Sequence, residues 1–140
     1  MATSSSGGIV PLIGRILLSS VFIIAGVGKI RGFSGEEMFV ASKHLPLPAV
    51  ALTIAMLIEL LGGLAILVGL YARFAAWIVF LYLIPTTFVF HNFWTMQGAA
   101  HQDNMLHFEK NAAIMGGLLI LAAFGAGGFS VDAARAPKSA

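Results

Sequence analysis

Glu59 lies in the run MLIELLGGLAILVGL, with no other charged residue between Leu45 and Ala72. The run is long enough to cross a bilayer, whose apolar core takes about 20 helical residues. An ionisable side chain at that depth is costly alone, so it pairs with a cation, handles a proton or faces a polar cavity. The matching cation is Arg15, the only charge in the first apolar stretch before Lys29. At about 1.5 Å of rise per residue, Arg15 sits roughly 9 Å inside one surface and Glu59 roughly 16 Å inside it. The gap of about 7 Å is within the reach of an extended arginine, and an Arg15–Glu59 ion pair is predicted. A buried pair is weak evidence for stability in itself, which leaves room for a functional role beside that of locking two helices.

A second group gathers towards the opposite surface. Lys29 closes the first apolar segment, His91 and Asn92 close the third, and Lys110 and Asn111 open the fourth. Three helices thus bring Lys29, His91 and Asn111 to one depth, with Phe88, Phe90, Phe93 and Trp94 close by in sequence. An aromatic wall with a few oriented donors suits a flat ring bearing carbonyls, such as a quinone. Histidine also titrates near neutrality and can relay a proton. The plainer reading makes these residues surface anchors, as Lys and Trp commonly are at membrane interfaces. Arg73 belongs to a tight turn at the other surface. His44, His101 and His107 are expected in loops, where their spacing shows no helical ligand pair, and no metal site is predicted. GAGGFS, from Gly125, is glycine-rich but follows a helix and lacks the lysine of a phosphate loop; its glycines are expected to end the fourth segment.

The elements that must carry these residues are helices. The 140 residues are 59% hydrophobic and only 10% charged, against roughly 25% charged in soluble domains. Net charge is +2 with no Lys/Arg run, which argues against nucleic-acid binding. There is no cysteine, so disulfides and thiol chemistry are excluded. Apolar segments at about 9–28, 48–70, 74–93 and 111–129 predict an all-α membrane protein, an antiparallel up-down four-helix transmembrane bundle forming one domain over 1–140. MATSSSGG has no basic residue and the first apolar run is long for a cleaved signal, so it is read as a span.

The connections add detail. Ser34 and Glu37 have capping-box spacing, which predicts a short interfacial helix between Ser34 and Leu45, ended by Pro46; Pro48 suits the first turn of the second span. Residues 71–73 are too few for anything but a hairpin, and Pro85 should kink the third span by crowding the Leu81 carbonyl. The tail beyond Ser130 reads as small, polar and loose. Both termini fall on one side. Arg73, Arg135 and Lys138 there nearly balance Lys29, Arg31, Lys43 and Lys110 opposite, so the positive-inside rule sets no orientation. Ala65 with Gly69, Ala112 with Gly116 and Ala113 with Gly117 are spaced for close helix approach, within the bundle or across a homo-oligomer face.

The stretches GRILLSSVFIIAGVGKIRGF, IELLGGLAILVGLYARFAA, FVFHNFW and HFEKNAAIMGGLLILAAFGAGGFSVD together resemble the DoxX family, in the same order and over most of the chain. The shared pattern is the Arg and Lys of the first helix, Glu followed by Gly-Gly in the second, the Arg of the turn, Phe-His in the third, and Lys-Asn, Gly-Gly and Ser-x-Asp at the end. The resemblance implies a four-helix inner-membrane protein. It implies no single activity: relatives include subunits of quinone-linked sulfur oxidation and proteins tied to oxidative stress or aromatic-compound breakdown. A distant relation to the eukaryotic Surfeit-locus cargo receptor implies that the fold also serves as a protein-binding scaffold. The leading expectation is a component of a quinone-linked redox system that binds a quinone-like ligand or supports an oxidoreductase partner. The alternatives are a scaffold or assembly factor, or a small-solute or proton transporter using Glu59.

Overall fold

The computed structural model describes residues 6–137. Six α-helices and one 3-10 turn appear among them, with no strand: α1 (Ser6–Arg31), α2 (Phe33–Ser42), α3 (Pro48–Val68), α4 (Ala72–Phe90), the turn Phe93–Thr95, α5 (Gly98–Phe124) and α6 (Val131–Arg135). Three of the long helices, α1, α3 and α4, are long and apolar enough to cross a membrane. In packing order the long helices run α1, α3, α4, α5, and α2 rests on α3 and α1.

Small residues allow this packing. Ala72, Ala75, Ala76 and Val79 of α4 are buried against Ile66 of α3 and Leu118, Leu121 and Ala122 of α5. A Cβ added at Gly63 would press on Phe22 and Ile23, and one added at Gly26 on Leu60. The close approach of α1 to α3 therefore falls at Gly26 and Gly63. Gly69 does another job: at φ +70° it ends α3 in the left-handed region, and the Leu70 amide turns back to the Ala65 carbonyl at 2.9 Å. The outward faces carry large apolar side chains such as Val10, Leu17, Ile24, Leu61, Phe74 and Phe124. A surface of that kind is stable only against an apolar medium or partner.

Several predicted details differ. The Ser34–Glu37 capping box does not form, because α1 runs almost directly into α2: the Gly32 amide bonds the Gly28 carbonyl and the Glu36 amide bonds that of Gly32, so Ser34 lies inside the helix rather than at its cap. Helix α4 contains Pro85 and stops at Phe90, short of the predicted end at 93. The fourth helix begins at Gly98, not near Asn111. AAHQDNMLHFEK is polar but rich in good helix formers, and a search for apolar length overlooks it. His101 and His107 consequently lie on a helix, not in loops. The glycines after Phe124 do end α5, but the segment beyond them is structured: the Ser130 hydroxyl accepts from the Ala133 amide at 3.1 Å and starts α6. Lys138 lies outside the described residues.

Candidate functional site

The predicted Arg15–Glu59 pair does not form. Arg15 is buried, but its Nη1 donates to the carbonyls of Ile66 (3.3 Å) and Leu67 (2.9 Å), and its Nη2 donates to that of Phe129. Ile66 and Leu67 belong to the last turn of α3, where the helix dipole is negative and carbonyls run short of intrahelical partners, and Phe129 lies in the segment after α5. They lie at the level of Arg15 and take its donors before Glu59 can.

Lys29 takes the place of Arg15. Its Nζ is 2.8 Å from Glu59 Oε2 and 3.0 Å from Oε1. The Tyr82 hydroxyl donates to Oε1 at 2.7 Å, bringing α4 into the same contact. Glu59 thus holds α1, α3 and α4 together, and its side chain is only 7% exposed. Sequence reasoning missed Tyr82. A tyrosine inside an apolar span, one of only two in the chain, was the available signal, since a buried hydroxyl requires a partner.

This triad borders a cavity of about 520 Å³, within the range of roughly 300–1,000 Å³ usual for small-molecule sites. Phe22, Val40, Leu52 and Leu83 supply apolar wall, and Phe39 and Phe90, with ring centroids 5.5 Å apart, stand at the α2 side. Lys29, His91 and Asn111 all line this space, together with Lys110 and Glu36. Asn92 and Arg73 do not. The Asn92 side chain accepts from Lys43 Nζ at 3.4 Å. Arg73 lies against Gly125, at the opposite end of α4 from His91.

The hydrogen bonds around the cavity limit what each group can offer. Asn111 is buried and donates through Nδ2 to the Thr87 hydroxyl at 3.1 Å. Asn104 commits its amide nitrogen to the Ala100 carbonyl, so its Oδ1 faces His91 Nδ1 at 3.2 Å. That arrangement places the proton on Nδ1 and leaves Nε2 of a neutral His91 as an acceptor. His91 also stacks on His107 at 5.0 Å, and His107 is flanked by Lys110 (Nδ1 to Nζ, 3.0 Å) and Asp103 (Nε2 to Oδ2, 3.7 Å). Among the described residues, no three His, Cys, Asp or Glu side chains are grouped so as to hold a metal ion. Phe88, Phe93 and Trp94 each pack edge to face with Phe108 in a separate cluster beside the cavity, and none of the four lines it.

At the other end of the molecule Asp132 makes a second junction. Its two carboxylate oxygens accept from the amides of Tyr71 (2.7 Å) and Ala72 (2.9 Å), and its own amide donates to the Gly69 carbonyl at 2.9 Å. These bonds fasten the α3–α4 turn to the segment after α5.

The family model DoxX matches residues 10–92. The chain is 37% identical over 121 residues to the inner membrane protein YphA of Escherichia coli (strain K12), covering 86% of each chain. It is 38% identical over 121 residues to the inner membrane protein YqjF of the same organism, covering 86% of this chain and 88% of that one. No solved structure matches.

Proposed function

The chain belongs to the DoxX family, and from that premise we propose that it is an inner-membrane protein whose cavity takes the ring of a quinone-like ligand, in service of a redox system. On this reading α5 is a fourth span in an antiparallel bundle. Its polar first half lies at the membrane surface and its apolar second half, from Asn111, lies beside α4 in the bilayer. The relatives are inner membrane proteins by name, and the exposed apolar faces of α1, α3 and α4 suit lipid.

The observation that carries the proposal is the composition of the cavity: apolar and aromatic walls, with ionisable groups gathered at Lys29–Glu59–Tyr82 and at His91 with Lys110. A quinone presents two carbonyls that accept hydrogen bonds; the reduced ring presents two hydroxyls that donate them. Lys29 and Lys110 donate, and suit the carbonyls. Neutral His91, with Nε2 free as an acceptor, suits a hydroxyl of the quinol. Two-electron reduction also takes up two protons; the Lys29 ammonium and the Tyr82 hydroxyl, both held on the Glu59 carboxylate, are the proton-bearing groups beside the ring site and are recharged from water. Electrons come from a partner oxidoreductase, since the chain has no thiol couple.

Titrating the protein in nanodiscs with a tail-less benzoquinone and its quinol tests this. Saturable binding of the ring is expected, and His91→Ala should weaken the quinol by about 1–3 kcal/mol, the cost of one lost buried hydrogen bond, with less effect on the quinone. A protein that binds neither form has no ring site, and the scaffold reading replaces this one.

A further inference from the structure

A second space adjoins the first. Between α1 and α5 runs a groove of about 670 Å³, and it shares Val21, Lys110 and Ile114 with the cavity. It follows α1 from Val10 to Val21, a length of about 16 Å by helical rise. Leu17 and Ile120 stand on its two sides and are 66% and 63% exposed. Glycine keeps the groove wide: a Cβ added at Gly14 would meet nothing within 4 Å. Its charged lining residues are Arg15, midway along the α1 side and committed to backbone carbonyls, and Lys110, where groove and cavity meet.

We infer that the ligand of the cavity carries a long hydrocarbon tail, that this tail lies in the α1–α5 groove, and that the ligand enters sideways from the bilayer between these two helices. The inference rests on the reading of the cavity as a ring site. The continuity of the two spaces selects this occupant. Val21 and Ile114 line both spaces, so a headgroup in the cavity has an apolar way out past them, and the groove continues it along α1 and α5. An apolar trench of that length fits a flexible chain. Lys110, at the bend, stands where a polar ring gives way to its tail.

The test compares one benzoquinone ring with and without a short isoprenoid side chain, titrated into the full-length protein in nanodiscs. Gly14→Leu places a branched side chain in open groove without touching the cavity. It should weaken the tailed quinone about tenfold, roughly 1.4 kcal/mol, and leave the tail-less ring unchanged. Gly116→Leu serves as the control for a new leucine on a spanning helix, since Gly116 lines neither space and its Cβ would also meet nothing; both affinities should stay as in the parent. If Gly14→Leu leaves both ligands unaffected, the tail lies elsewhere and the inference fails while the ring site stands. If Gly14→Leu instead only dissociates an oligomer, the groove belongs to a second copy and the inference also fails. If the parent binds neither ligand, ring site and tail groove fall together.

Discussion

Lys29, in the last turn of α1, and Glu59, at the middle of α3, form a two-point ion pair at 2.8 and 3.0 Å. A buried charge that loses its partner costs more than the pair contributes. Glu59→Gln should therefore lower stability by about 3 kcal/mol, at the low end for a buried pair because Lys29 keeps some contact with solvent. Adding Lys29→Met to that variant should recover part of the loss. Thermal melts of the four proteins in one detergent check this. A double variant as unstable as the sum of its parts would show that the two residues act separately.

Asp132 acts on a helix that begins sixty residues earlier in sequence, by accepting from Tyr71 and Ala72. Removing such a carboxylate from the start of a helix costs about 0.5–2 kcal/mol. Asp132→Ala should show that loss, and hydrogen exchange should locate it: the amides of residues 71 and 72 should lose protection while those in the middle of α3 keep theirs. Unchanged exchange at both amides would contradict the cap.

Gly69 and Gly116 should respond oppositely to alanine. At Gly69, φ is +70° and a Cβ would run into the Arg15 guanidinium and Ser130. Left-handed backbone alone costs a non-glycine residue roughly 1–2 kcal/mol, and the crowding adds to it. At Gly116 the backbone is helical and the space open, so alanine should stabilise by roughly 0.5–1 kcal/mol. Equal melting shifts at the two sites would rule out this account of Gly69.

The four-span arrangement proposed above makes a topological prediction. The chain has no cysteine, so single cysteines report cleanly. Gln102→Cys, in the first turns of α5, and Ala134→Cys, in α6, should react with an impermeant thiol reagent from opposite faces of the membrane. Labelling of both from one face would leave α5 lying on the surface and the protein with three spans.

Much of the helical plan was legible in the sequence because lipid-facing helices must be apolar along their length. Pro48 at the start of α3 and the glycines after α5 read correctly for the same local reasons that govern helix ends. The first half of α5 was not legible, because His101, Asp103, His107, Glu109 and Lys110 make it polar while its helix propensity stays good. Arg15 was correctly read as buried and Glu59 as facing the interior, but their pairing was not. Depth along a helix says how near two side chains are; it does not count the other acceptors at the same level. The backbone carbonyls that hold Arg15, like the Asp132 cap, come from places where separate parts of the chain meet, and no local pattern announces them.

The bonds from Arg15 to Phe129 and from Asp132 to the α3–α4 turn also set an order of events during synthesis. When α1, α3 and α4 have left the ribosome and entered the membrane, the guanidinium of Arg15 has only part of its final set of acceptors, and the amides of Tyr71 and Ala72 have none. Both are satisfied only when the segment from Phe129 to Asp132 arrives. A nascent chain stalled within α5 therefore holds an arginine without its full set of acceptors and a helix start whose cap has yet to arrive.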